Sequence, residues 1–154
     1  MLEELFFLLG LANSALLIAI FLLAKSKRMG DVRRVGLAYL LLAIPALYGI
    51  FLVVQEKNAW QYGVFLGIFI AYLALEAVYD FVLKVQFRSS WKYLLPYLCL
   101  YFAMNYGFVV MVWKWSLAPG LLMLAIFVVQ IAINIWANHP EMYRKFLRSQ
   151  GRPG

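Results

Sequence analysis

Residues Trp60–Leu83 read WQYGVFLGIFIAYLALEAVYDFVL, a run whose only charged side chains are Glu76 and Asp80. The apolar positions are continuous rather than alternating, so the run reads as a helix and not as a barrel strand. It also has the roughly 20 residues needed to cross a hydrocarbon core about 30 Å thick. Working outward, Leu5–Ala24 and Val35–Val54 precede it, and Tyr93–Trp113 and Leu117–Trp136 follow, each of spanning length. The expected fold class is therefore all-α: a polytopic membrane bundle of about five transmembrane helices. It fills 1–154 as one domain and carries a basic tail at 139–154.

Composition agrees with the segments. The chain has 154 residues, 66% hydrophobic and 14% charged, with a mean hydropathy of +0.82, too little polar surface to cover a water-soluble globule.

The charges are segregated. Lys25, Lys27, Arg28, Arg33 and Arg34 lie between spans one and two, Lys84, Arg88 and Lys92 between spans three and four, and Arg144, Lys145, Arg148 and Arg152 in the tail. Only Lys57 and Lys114 lie on the opposite side. The positive-inside rule then puts the N-terminus outside and the C-terminus in the cytoplasm, with the plasma (inner) membrane as the expected location. The first span is preceded by acidic Glu3 and Glu4 and followed by its basic cluster, the reverse of a secretory leader, so it is expected to stay in the mature protein. The net charge of +7 is accounted for by orientation and by anionic lipid, the expected partner, with no call for nucleic acid.

Trp60, Trp91, Trp113, Trp115 and Trp136 all fall at span ends, where an indole ring sits at the acyl boundary with its N–H near water. Cys99, the only cysteine, lies inside a span and is expected to pack in the core.

Function is best sought around the third span. Glu76 and Asp80 are four residues apart, on one face if the helix is α throughout. Glu76 should lie roughly 6 Å to the cytoplasmic side of the midplane, counting 1.5 Å per residue. An ionised acid at that depth costs about 2 to 3 kcal/mol or more, so it is expected to face protein or a water-filled space. Tyr72 and Tyr79 share its face. Gly63, Gly67, Ala71 and Ala74 form a small-residue stripe on the other, suited to close helix packing inside the bundle, or alternatively to a homodimer or a larger membrane complex.

Depth counting from the basic end brings Tyr101 and Gln130 level with Glu76, and Tyr97 and Asn134 level with Asp80. Asn105 is deeper, near Asn13 and Ser14. Tyr97, Tyr101 and Asn105 form one polar line, and Gln130, Asn134 and Asn138 another. The candidate ligand-binding set is therefore Glu76, Asp80, Tyr97, Tyr101, Asn105, Gln130 and Asn134, lining a polar cavity.

One histidine and one cysteine cannot ligate zinc or haem, and two acids are few for a hard divalent cation, so neither metal nor cofactor is expected. His139 is expected to help end the last helix before Pro140. Three functional classes follow: binding or transport of a small cationic or protonatable solute centred on Glu76; a non-catalytic accessory or scaffold subunit of a membrane complex; and a membrane enzyme using Glu76 or Asp80 as general acid on a lipid-like substrate.

Overall fold

The computed structural model describes residues 1–26, 29–55, 60–83 and 91–149, and within them no side-chain placement is described at 29, 80, 81, 91 and 138–149. The described chain is helical: α1 (Leu2–Lys25), α2 (Met29–Leu40), α3 (Ala43–Gln55), α4 (Trp60–Ala77), α5 (Trp91–Trp115) and α6 (Leu117–Ser149), with a π-helical turn over Val78–Leu83 extending α4. Five helical stretches, with α2 and α3 together forming one, are long and apolar enough to cross a membrane, as in a multi-pass membrane protein. Consecutive spans pack side by side, and α6 closes the ring against α1.

The bundle is apolar outside as well as inside. Leu8, Leu41, Ile44, Phe51, Leu121 and Val128 point outward, as lipid-facing residues do. Trp60, Trp113, Trp115 and Trp136 are exposed at the ends of the apolar spans, and the Trp91 side chain lies outside the described residues. Cys99 is exposed on the outer surface, so the expectation that it packs in the core is corrected. A thiol is small and apolar enough to face lipid as readily as protein.

The second span is broken, which the continuous apolar run did not announce. Pro45 has no N–H, and its ring excludes the carbonyl of Leu41 from an α-helical position. The chain answers with three-residue bonds: Leu41 N to Ala38 O at 3.2 Å, Leu42 N to Tyr39 O at 3.0 Å and Ile44 N to Leu41 O at 3.0 Å. Pro45 then falls in the first turn of α3, where a missing donor leaves nothing unsatisfied. The break puts Tyr39 in the last turn of α2, with its side chain completely buried.

The last helix corrects a second expectation. Rather than stopping before Pro140, α6 continues to Ser149. Pro140 cannot donate to the carbonyl of Trp136, four residues earlier. That carbonyl accepts a hydrogen bond from Lys25 Nζ at 3.0 Å, and the same ammonium lies 4.4 Å from the centre of the Trp136 ring. A cation from the end of α1 thus satisfies the acceptor that proline frees in α6. The His139 side chain lies outside the described residues.

At the opposite end, Ser116 alone separates α5 from α6. The chains cross so closely there that a Cβ on Gly120 would lie 2.6 Å from the Trp113 Cα. Only glycine fits.

Candidate functional site

The interior divides into two layers along the bundle axis. Towards the Trp60 and Trp115 end it is aromatic and dry. Phe6 and Phe108 lie 4.9 Å apart, Phe69 and Phe108 5.4 Å apart, and Met123 and Leu66 are buried in the same cluster. Towards the basic end every span adds a polar group: Asn13 from α1, Tyr39 from α2, Tyr72 and Glu76 from α4, Tyr97 and Tyr101 from α5, and Gln130 and Asn134 from α6.

Side-chain hydrogen bonds between spans tie this layer together. The Tyr39 hydroxyl donates to Asn13 Oδ1 at 2.6 Å, the Tyr72 hydroxyl to the Tyr97 hydroxyl at 2.7 Å, and Gln130 Nε2 to the Tyr101 hydroxyl at 2.7 Å. Tyr101 is also hydrogen-bonded to the Asn134 side chain. The rings pack on one another: Tyr72 is 6.3 Å from Tyr39, 5.3 Å from Tyr97 and 6.3 Å from Tyr101, and Tyr97 stacks on Tyr101 at 6.4 Å. Four tyrosines from three spans therefore form one cluster around Tyr72. Glu76, one turn beyond Tyr72, is half-buried with its Oε2 fully enclosed, and its carboxylate interacts electrostatically with both Tyr39 and Tyr72.

Two atoms in this layer stand out among the described residues. Asn13 Nδ2 and Gln130 Oε1 are buried without a hydrogen-bond partner, on residues that are 0% exposed. Each such atom costs about 1 to 3 kcal/mol when nothing replaces the water it lost. One is a donor and the other an acceptor, so the polar layer keeps unused hydrogen-bonding capacity of both kinds.

Of the residues expected from sequence, Glu76, Tyr97, Tyr101, Gln130 and Asn134 come together in this layer. Asn105 is buried at its edge and gives its amide to the Tyr101 carbonyl one turn back, at 2.8 Å, inside its own helix. The Asp80 side chain lies outside the described residues, but its backbone belongs to the π-helical turn. The α-helical spacing that put Asp80 on the Glu76 face therefore ends at Ala77, because a π turn holds more residues than an α turn. Such turns recur at functional sites.

The small-residue stripe does not pack as a unit within the chain. Only Gly63 sits under a neighbour, Val53 of α3, whereas Gly67, Ala71 and Ala74 are exposed. The expectation of close packing inside the bundle is corrected for these three.

Tyr39 and Tyr72 are central to the cluster and were absent from the expected set. Tyr72 was within reach, since it precedes Glu76 by four residues on the same face; Tyr39 was not, because it lies only five residues from Arg34, a shallower count than that of Tyr101 from Lys92.

Comparison with protein-family models, with curated proteins and with solved structures finds no match to this chain. The functional reading rests on the site itself.

Proposed function

We propose that this protein binds, and carries across or into the membrane, a small cationic or protonatable solute at the polar layer centred on Glu76. The observation that carries this reading is the environment of one carboxylate. Glu76 lies among membrane-spanning helices, one turn beyond the buried Tyr72 and with its Oε2 enclosed, in a layer to which all five spans contribute. An intramembrane acid with several convergent polar neighbours is the usual mark of an ion or solute pathway. The dry aromatic layer beyond it would seal one side, so access is from the basic end. By the distribution of lysine and arginine this end is the cytoplasmic side of the plasma membrane, with the C-terminus there and the N-terminus outside. Passage through the aromatic layer needs a second conformation, for which the outward-facing Gly67, Ala71 and Ala74 offer a contact between two copies.

The test is uptake of amine or alkali cations by proteoliposomes, wild type against Glu76→Gln. Uptake by the wild type that the variant loses, at equal amounts of folded protein, supports the reading.

A second reading is favoured by a different observation: Tyr39 with Asn13, Tyr72 with Tyr97, and Tyr101 with Gln130 are already paired within the chain. In an accessory or scaffold subunit these bonds would serve to hold the helices together. In that case Glu76→Gln leaves assembly and stability nearly unchanged and no cation moves in either protein.

A further inference from the structure

We infer that α2 is a hinged flap on the bundle, which swings at Leu41 and Leu42, is held shut by Tyr39, and opens the polar layer towards the basic end. As a route to the Glu76 layer it rests on the proposed binding function, whereas the movement itself stands on the packing of the second span.

The hinge is the break in that span. Leu41, Leu42 and Ile44 donate to carbonyls three residues back, and Pro45 has no donor to give. A tight stretch of this kind inside a spanning helix marks a place where the two halves can change direction independently.

The two halves are attached very differently. Helix α3 buries Ala46, Gly49 and Leu52, and packs on both α1 and α4. It fits so closely that a Cβ on Gly49 would lie 2.9 Å from Leu66 Cδ1 and 3.5 Å from Leu5 Cδ2. Helix α2 packs chiefly on α1, and Tyr39 is the one buried side chain among its described residues. A Cβ on Gly36 would meet nothing within 4 Å, and Arg33 and Arg34 are exposed. Elements with so few buried contacts are the ones that open while the rest of a fold stays closed.

The latch is the one deep contact. The Tyr39 hydroxyl donates to Asn13 Oδ1 at 2.6 Å, and its ring meets that of Tyr72 edge-on at 6.3 Å. Asn13 and Tyr72 are both 0% exposed, so lifting α2 uncovers one residue of α1 and one of α4, with Glu76 one turn beyond the second. The shut state also carries a penalty, because Asn13 Nδ2 is enclosed without an acceptor. Water admitted when α2 lifts would meet that donor and offset part of the loss of the Tyr39 bond. Shut and open states are thereby brought close in free energy, as a gate requires.

The experiment is spin-label distance measurement on the full chain in lipid nanodiscs, in a Cys99→Ala background. Leu37→Cys with Val128→Cys reports α2 against α6, and Phe51→Cys with Leu121→Cys reports α3 against α6; all four positions are exposed. The first pair is expected to show two distances and the second pair one. Tyr39→Phe should enrich the minor distance of the first pair about threefold or more and leave the second pair unchanged. Pro45→Ala should merge the first pair into one distance; if that variant does not fold, Tyr39→Phe decides alone. A single distance for the first pair that Tyr39→Phe does not alter overturns the flap. So does a change shared by both pairs, since the span then moves as one piece. Uptake of n-propylammonium by proteoliposomes separates the movement from its role. Tyr39→Phe is expected to raise the initial rate about threefold or more, as an unlatched lid does. A flap that shifts while Glu76-dependent uptake stays the same overturns the gating role and leaves the solute-binding reading in place. No uptake by the wild type overturns that reading, while the distances still decide the flap.

Discussion

The Tyr72 and Tyr97 hydroxyls share one hydrogen bond, so replacing either with phenylalanine removes the same interaction. In a double-mutant cycle Tyr72→Phe and Tyr97→Phe are expected to be sub-additive, with a coupling of about 0.5 to 1.5 kcal/mol in chemical unfolding measured in detergent micelles. Tyr39→Phe should cost more for its size, about 1 to 2 kcal/mol. It deprives Asn13 Oδ1 of its partner on a residue whose Nδ2 already lacks one. Adding Asn13→Leu should recover part of that loss, because an apolar pair has no unmet bonds. Part of this layer was legible from depth counting: Tyr101, nine positions from Lys92, and Gln130, nine from His139, do meet in a hydrogen bond. What counting could not supply was direction. Asn105 has the right composition and burial, but its amide turns back onto its own helix.

Three of the four prolines in the described helices act in different ways. Pro45 breaks the second span, Pro119 falls in the first turn of α6 where a donor is not needed, and Pro140 sits inside α6 with its orphaned acceptor met by Lys25. Sequence reading expected a stop at Pro140 because the compensating cation lies 111 positions before Trp136, beyond any local pattern. The same limit applies to the π turn, which has no signature in the apolar run. If Lys25 stabilises α6 through the freed carbonyl, Lys25→Met should raise hydrogen-exchange rates in α6 beyond Trp136. The increase should be much smaller in a Pro140→Ala background, where the helix supplies its own donor. Equal increases in both backgrounds would detach Lys25 from Pro140. Close packing gives a second element-scale test. A Cβ on Gly107 of α5 would run into the ring of Phe65 of α4. Gly107→Ala should cost about 1 to 3 kcal/mol, and Phe65→Leu in the same chain should return part of it.

For the molecule as a whole, spanning helices follow from the length of the apolar runs, since a segment in lipid must satisfy its own backbone. Which residues face inward does not follow from hydropathy, because lipid and protein interior are equally apolar; Cys99 and the Gly67, Ala71 and Ala74 stripe illustrate this. Orientation has a direct check. In a Cys99→Ala background, Gln55→Cys should react with a membrane-impermeant maleimide in intact cells and Arg33→Cys should react only after permeabilisation; the reverse pattern would invert the proposed topology. The central proposal is that the layer around Glu76 takes up a cation. Infrared difference spectra of the protein in lipid nanodiscs, with and without n-propylammonium, address it most directly. The expected result is a carboxyl signal that changes as amine is added and is missing from Glu76→Gln. Superimposable spectra for the wild type with and without amine, at concentrations up to about a typical millimolar Kd for a weak solute, would contradict it.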